Sequence, residues 1–159
     1  MTAALALVVG GFTEQAVANS STNTHMFAVG GFAPVDTDMD GITHMAFAAQ
    51  QNPVHATVYA GHVVQETSTG YRSGPVDCLS VTVNTATSST AAVVWHITSS
   101  NISGDVIGQT RSFEVTDNGP PVMGMSPDMF KDRGTDTTCG TDNNGTNEAL
   151  LRGNIVVSP

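Results

Sequence analysis

The stretch Val76–Gly119, VDCLSVTVNTATSSTAAVVWHITSSNISGDVIGQTRSFEVTDNG, decides the fold class. From Cys78 to Val83 the side chains alternate. Leu79, Val81 and Val83 leave one face of the chain and Cys78, Ser80 and Thr82 the other, which is the period of a half-buried strand. The segment Ala91 to Thr98 repeats the pattern, with Ala91, Val93, Trp95 and Ile97 against Ala92, Val94, His96 and Thr98. Its second face is only partly polar, as expected of a more central strand. From Val106 to Thr116 the alternation ends in Phe113 and Val115, and Asp117-Asn118-Gly119-Pro120-Pro121 stops it. Asn-Gly tolerates positive φ, and consecutive prolines donate no ladder hydrogen bonds. The links NTATSS and SSNISG are Ser/Thr/Asn/Gly clusters of hairpin length, so the three strands form an antiparallel meander.

The flanks extend the same logic. Val54 to Val64 is a long strand candidate. It places Val54, Ala56, Val58, Ala60, His62 and Val64 on one face, His55, Thr57, Tyr59 and Val63 on the other, and a bend at Gly61. Thr24–Phe32 and Thr43–Ala48 read as two strands around a turn. Ala149–Val157 reads as a closing strand with Ile155 and Val157 inward. Pro120 to Gly145 is loop-rich in composition, and Met123, Met125, Met129 and Phe130 are suited to a lid over one end. The expected architecture is all-β: an antiparallel meander of about seven to eight strands without a helix. Short links favour a closed barrel over a two-sheet sandwich.

One series of residues carries a resemblance. Cys78-Leu79 with Asn84-x-Ala86, Phe113-x-Val115 with Asp117-Asn118-Gly119, Asp128-x-Phe130, Cys139 and Gly153-Asn154-Ile155-x-Val157 resembles an uncharacterised family of small secreted bacterial all-β proteins, frequent in actinobacteria. The likeness covers the C-terminal half and consists of turn and strand-end chemistry. It implies a compact β fold and secretion, with no established activity. The chain departs from the pattern at Val83, where a Gly often precedes the Asn, and in the insertion Pro120-Pro121-Val122-Met123-Gly124-Met125.

The chain has 159 residues, a length suited to one domain with a core of its own. Apolar residues make up 40% and charged residues 12%, a balance that favours Thr-rich strands over helices. A net charge of −9 with five Lys and Arg argues against binding nucleic acid through phosphates and against attraction to anionic membranes. Residues 1–18 hold an apolar run from Ala3 to Val9 and end in Ala16-Val17-Ala18, the small-residue pattern of a signal-peptide cleavage site, but they lack a positive n-region. Export is favoured over a first strand of the fold, leaving residues 19–159 as a single β domain outside the cell. No stretch is long enough for a membrane span. In that compartment Cys78 and Cys139 are expected to pair, closing a loop worth about 4 kcal/mol in the chain-entropy model, whereas in the cytosol they would be buried thiols.

Chemistry-bearing residues are few. Asp36-x-Asp38-x-Asp40-Gly41 matches the opening of a Ca2+ loop, but its twelfth position is Phe47 instead of a bidentate acid. A hairpin tip is therefore favoured over a weak calcium site. The five histidines, His25, His44, His55, His62 and His96, show no metal-motif spacing. Should the barrel be hollow, His62, Tyr59 and Arg111 are the polar candidates among its apolar walls. No Gly-x-Ser-x-Gly occurs and no catalytic residue is assigned. The expected role is a secreted β domain with a non-enzymatic binding or structural role at the cell surface. The alternative is a hollow barrel that binds an apolar small molecule, as carrier or as cyclase or isomerase.

Overall fold

The computed structural model describes residues 26–35, 41–51, 59–120, 126–141 and 146–159. Its strands are β1 (Phe27–Pro34), β2 (Ile42–Gln51), β3 (Tyr59–Thr67), β4 (Gly70–Thr85), β5 (Ser88–His96), β6 (Ser99–Ser100), β7 (Thr110–Asp117), β8 (Met129–Gly134) and β9 (Glu148–Ser158). β6 adds only a two-residue pairing to Arg72 and Ser73 of β4. The other strands each pair antiparallel with the next in the chain, and β9 returns to β1, which closes an eight-stranded up-and-down barrel. Closure removes the exposed edges that an open sheet would present. Among the described residues there is no helix, and hence none long and apolar enough to cross a membrane.

The alternation read in β5, β7 and β9, and in β4 at Leu79, points inward as expected, whereas Val83 near the end of β4 is exposed. Leu79, Ala91, Val93, Trp95, Ile97, Phe113, Val115, Ile155 and Val157 are all buried. On the barrel axis four rings close a cycle: Phe32 with Phe47, Phe47 with Phe113, Phe113 with Phe130, and Phe130 with Phe32, at centroid distances of 6.3, 5.1, 6.1 and 5.3 Å. Tilted and edge-on rings at these separations add roughly 0.5–1.5 kcal/mol per pair to the area they bury.

Part of the stretch read as loop-rich is strand, and β4 reaches back beyond the meander. Ser73-Gly74-Pro75 continues β4, which bends there alongside the β5–β6 connection. Gly74 is required because a Cβ would overlap the carbonyl oxygen of His96. Met129–Gly134 is β8. Phe130 faces the core, while Lys131 lies opposite Glu114 on the outer side and is nevertheless buried.

That outer side carries a second layer. Ala92, Val94, Ser112, Glu114 and Lys131 point away from the barrel axis and are all buried. Against this face runs the strap 134–141, tied to β4 by the disulfide Cys78–Cys139, whose Cα atoms lie 6.0 Å apart. Arg133 anchors the strap from within. Its Nη1 donates to the carbonyls of Thr138 (3.3 Å) and Gly140 (2.6 Å), and its Nη2 donates to Asp136. Hydrogen bonds from the backbone N–H and the hydroxyl of Thr138, with Arg133 beside them, hold the Asp136 carboxyl down to about 2. The unfolded chain binds more protons between that value and the usual 3.8, so this stabilisation is complete above pH 3.8 and is lost as pH falls through about 2. Asp136→Asn is expected to lower Tm at neutral pH, with its gap to the parent chain closing between these two pH values in a series of melting curves. A gap that stays constant with pH would remove the ionic role.

β9 meets β8 only at Met129↔Ala149 and Phe130↔Glu148. Farther along β9, carboxylates replace the missing ladder. Ile155 N–H donates to Asp128 Oδ2 (3.3 Å) and Val157 N–H to Asp117 Oδ2 (3.1 Å). Asp128 also accepts from Asn118 N–H (3.0 Å) and Asp117 from Gly119 N–H (2.7 Å). Burial raises the Asp128 carboxyl above its ordinary value, Asp117 adds to the rise, and the two N–H donors oppose it. The residues of the Asp-Asn-Gly, Asp-x-Phe and Gly-Asn-Ile-x-Val series thus meet at one seam, where they close the barrel.

Candidate functional site

The opposite outer face, made by β9, β1, β2 and β3, carries the site. Register sets its rows. Ala33 of β1 lies opposite Arg152 of β9, and His44 of β2 lies opposite Glu66 of β3. One row on, Gly31 lies between Asn154 and Ala46, and Ala46 lies beside Val64. Directly opposed residues on paired strands project to the same side, so these side chains share the outer surface. The middle row is small: Gly31 has no side chain, and a Cβ built there would meet nothing within 4 Å. Around this gap a groove of about 320 Å³ opens, floored by Gly31, Ala33, Ala46 and Val64 and flanked by His44, Glu66 and Arg152.

The polar rim forms a chain. Arg152 Nη2 and His44 Nε2 are 2.6 Å apart. A guanidinium has only donors, so His44 Nε2 accepts and the imidazole proton sits on Nδ1. That Nδ1–H faces Glu66 Oε2 at 3.6 Å, beyond a direct hydrogen bond. The His44 and Glu66 side chains are 43% and 38% exposed, so the chain is open to a ligand in solution.

The residues singled out by sequence fall elsewhere. His62 does not stand among apolar walls. It is exposed on the outer face of β3, because Val63 and Gln65 take the inward positions. A glutamine is acceptable inside because Arg72 Nε donates to its Oε1 at 2.5 Å. Tyr59 is half-buried at the start of β3 and packs against the core. Arg111 stands opposite Trp95 and hence on the inner side, but it is committed to Asp132 at 3.0 Å. Beside it Arg72 pairs with Asp105 at 3.1 Å, and Asp105 accepts from Ser100 Oγ at 2.6 Å, so a buried polar network occupies this end of the barrel. Burial, helped by the like charge of Arg111, pushes the Arg72 guanidinium below its usual value, and Asp105 opposes the shift. His62, Tyr59 and Arg111 therefore do not converge.

Asp36, Asp38 and Asp40 lie outside the described residues, and so do residues 1–18. Among the described residues no group of three or more His, Cys, Asp or Glu is placed to hold a metal ion. Cys78 and Cys139 are paired, the state expected of them outside the cytosol.

His44, Glu66, Arg152 and Gly31 were not legible as a site. They come from four strands, and more than a hundred positions separate His44 from Arg152. One signal was available, the scarcity of cations: with five Lys and Arg in the whole chain, the position of each carries information. No protein-family model, no curated protein and no solved structure matches the chain.

Proposed function

We propose that this chain is a secreted, non-enzymatic binding domain whose ligand seat is the outer groove on β9, β1, β2 and β3. The observation that carries this reading is the distribution of space. The barrel axis is filled by the Phe32–Phe47–Phe113–Phe130 cycle, while the gap above Gly31 lies on the outside. A volume of about 320 Å³ lies at the lower end of the range for small-molecule sites, and its apolar floor with a few convergent polar groups has their usual make-up. The reading departs from a hollow carrier, cyclase or isomerase, because an enclosed ligand would have to displace the ring cycle. The Cys78–Cys139 disulfide is compatible with an extracellular setting.

The test is an amide-resolved NMR screen of small apolar compounds. Shifts are expected at Gly31, Ala46, Val64 and Gly153, and Gly31→Val is expected to abolish them while leaving Tm nearly unchanged, since a strand accepts valine and the position is open. Shifts gathered at Trp95 or Phe113, indifferent to Gly31→Val, would return the ligand to the interior and sink the reading. Export is tested by mass spectrometry of the mature protein, which is expected to begin after residue 18.

A further inference from the structure

We propose that the groove takes a small carboxylate with a short aliphatic body, held by Arg152; this rests on the reading of the groove as the ligand seat. The chain has five Lys and Arg against fourteen Asp and Glu. Four of the five are enclosed and matched to acids: Arg72 to Asp105, Arg111 to Asp132, Lys131 to Glu114, and Arg133 to Glu114 and Asp136. Their side chains are 10%, 15%, 4% and 1% exposed. The fifth is Arg152. It is exposed, no described carboxylate pairs with it, and its one bond is to a neutral imidazole acceptor. On a protein of net charge −9, the one solvent-facing permanent cation stands at the rim of the groove.

The geometry selects the ligand further. The bond to His44 Nε2 uses one guanidinium N–H and steadies the side chain, leaving other donors for the two oxygens of a carboxylate. Next to Arg152 the surface falls to Ala33, Gly31 and Ala46, where an aliphatic body covers apolar wall. Glu66 lies beyond His44, its Oε2 3.6 Å from His44 Nδ1 on the far side of the ring from Arg152. It repels a second negative charge and so sets the direction: carboxylate toward β9, chain toward Val64.

The probes are hexanoate, hexan-1-ol and hexylamine, titrated into the folded protein and followed at the amides of Gly31, Ala46, Val64 and Gly153. Hexanoate is expected to bind about tenfold tighter than hexanol, the ratio that one charge-assisted hydrogen bond supplies at a partly exposed site. Hexylamine is expected to be the weakest. Arg152→Gln is expected to erase the advantage of hexanoate without moving Tm, and concentrated NaCl is expected to narrow it by screening. Equal binding of hexanoate and hexanol at these amides would overturn the carboxylate assignment and leave the groove as the seat. Absence of shifts with all three probes would overturn both.

Discussion

Glu114→Ala is expected to cost about 3–5 kcal/mol, the loss typical of removing one partner from a buried ion pair. Glu114 is buried, with Lys131 Nζ at 2.9 Å from one carboxylate oxygen and Arg133 Nη1 at 3.5 Å from the other. Alanine would leave two enclosed cations without the carboxylate they share, under a second layer that keeps water away. In a chain of this length the loss corresponds to a Tm fall of roughly 10 °C. Glu114→Gln keeps the shape and some hydrogen bonding, and is expected to lose less. Replacing Glu114 and Lys131 together by Leu and Met is expected to recover much of the loss, because removing a buried acid and a buried cation together keeps the charge balance of the cluster. Urea unfolding of the three variants checks the order. A Glu114→Ala loss below about 1 kcal/mol would mean that water reaches the cluster and that the strap does not seal it.

The double replacement Cys78→Ala with Cys139→Ala is the second large effect, expected at about 4 kcal/mol for a bridge of sequence separation 61. The barrel closes through its own ladders, from β1 paired to β2 round to β9 paired to β1, so the variant is expected to fold. The loss is local in character. Side-chain NMR shifts at Ala92 and Val94, on the face bridged to the strap, are expected to change far more than at Phe113 or Val115, which face the core. Equal changes on both faces would show that the bridge holds the whole barrel together, and unchanged shifts would show that Arg133 and its carbonyl partners hold the strap unaided.

What was legible in the sequence followed the two-residue period of a strand. Leu79, Val93, Trp95, Phe113, Ile155 and Val157 were read inward from alternation alone, and they are inward. Short Ser/Thr/Asn links implied neighbours in sequence lying as neighbours in space, and the meander with barrel closure is what forms. β8 escaped because alternation records polarity, whereas burial depends on partners: Lys131 and Arg133 look like surface charges until Glu114 and the strap enclose them. On β3 polarity does not pick the inner face either. Val64 and His62 made the more apolar row, yet Val63 and Gln65 face the core, with Arg72 satisfying the glutamine.

By itself, the sequence determined the all-β class, the consecutive order of the strands, the inward faces of β5, β7 and β9 and of β4 at Leu79, and the only possible intramolecular pairing of its two cysteines. These are local properties: the alternation of a strand, the length of a link, the identity of a residue. Only the tertiary structure decided that the interior is filled, that four of five cations are spent on internal carboxylates, and that Arg152, His44, Glu66 and Gly31 share one surface. Those facts depend on the register between β9, β1, β2 and β3, and a shift of one residue would turn Gly31 or His44 to the other face. Register is set by packing the whole core at once, which no single stretch of the chain encodes.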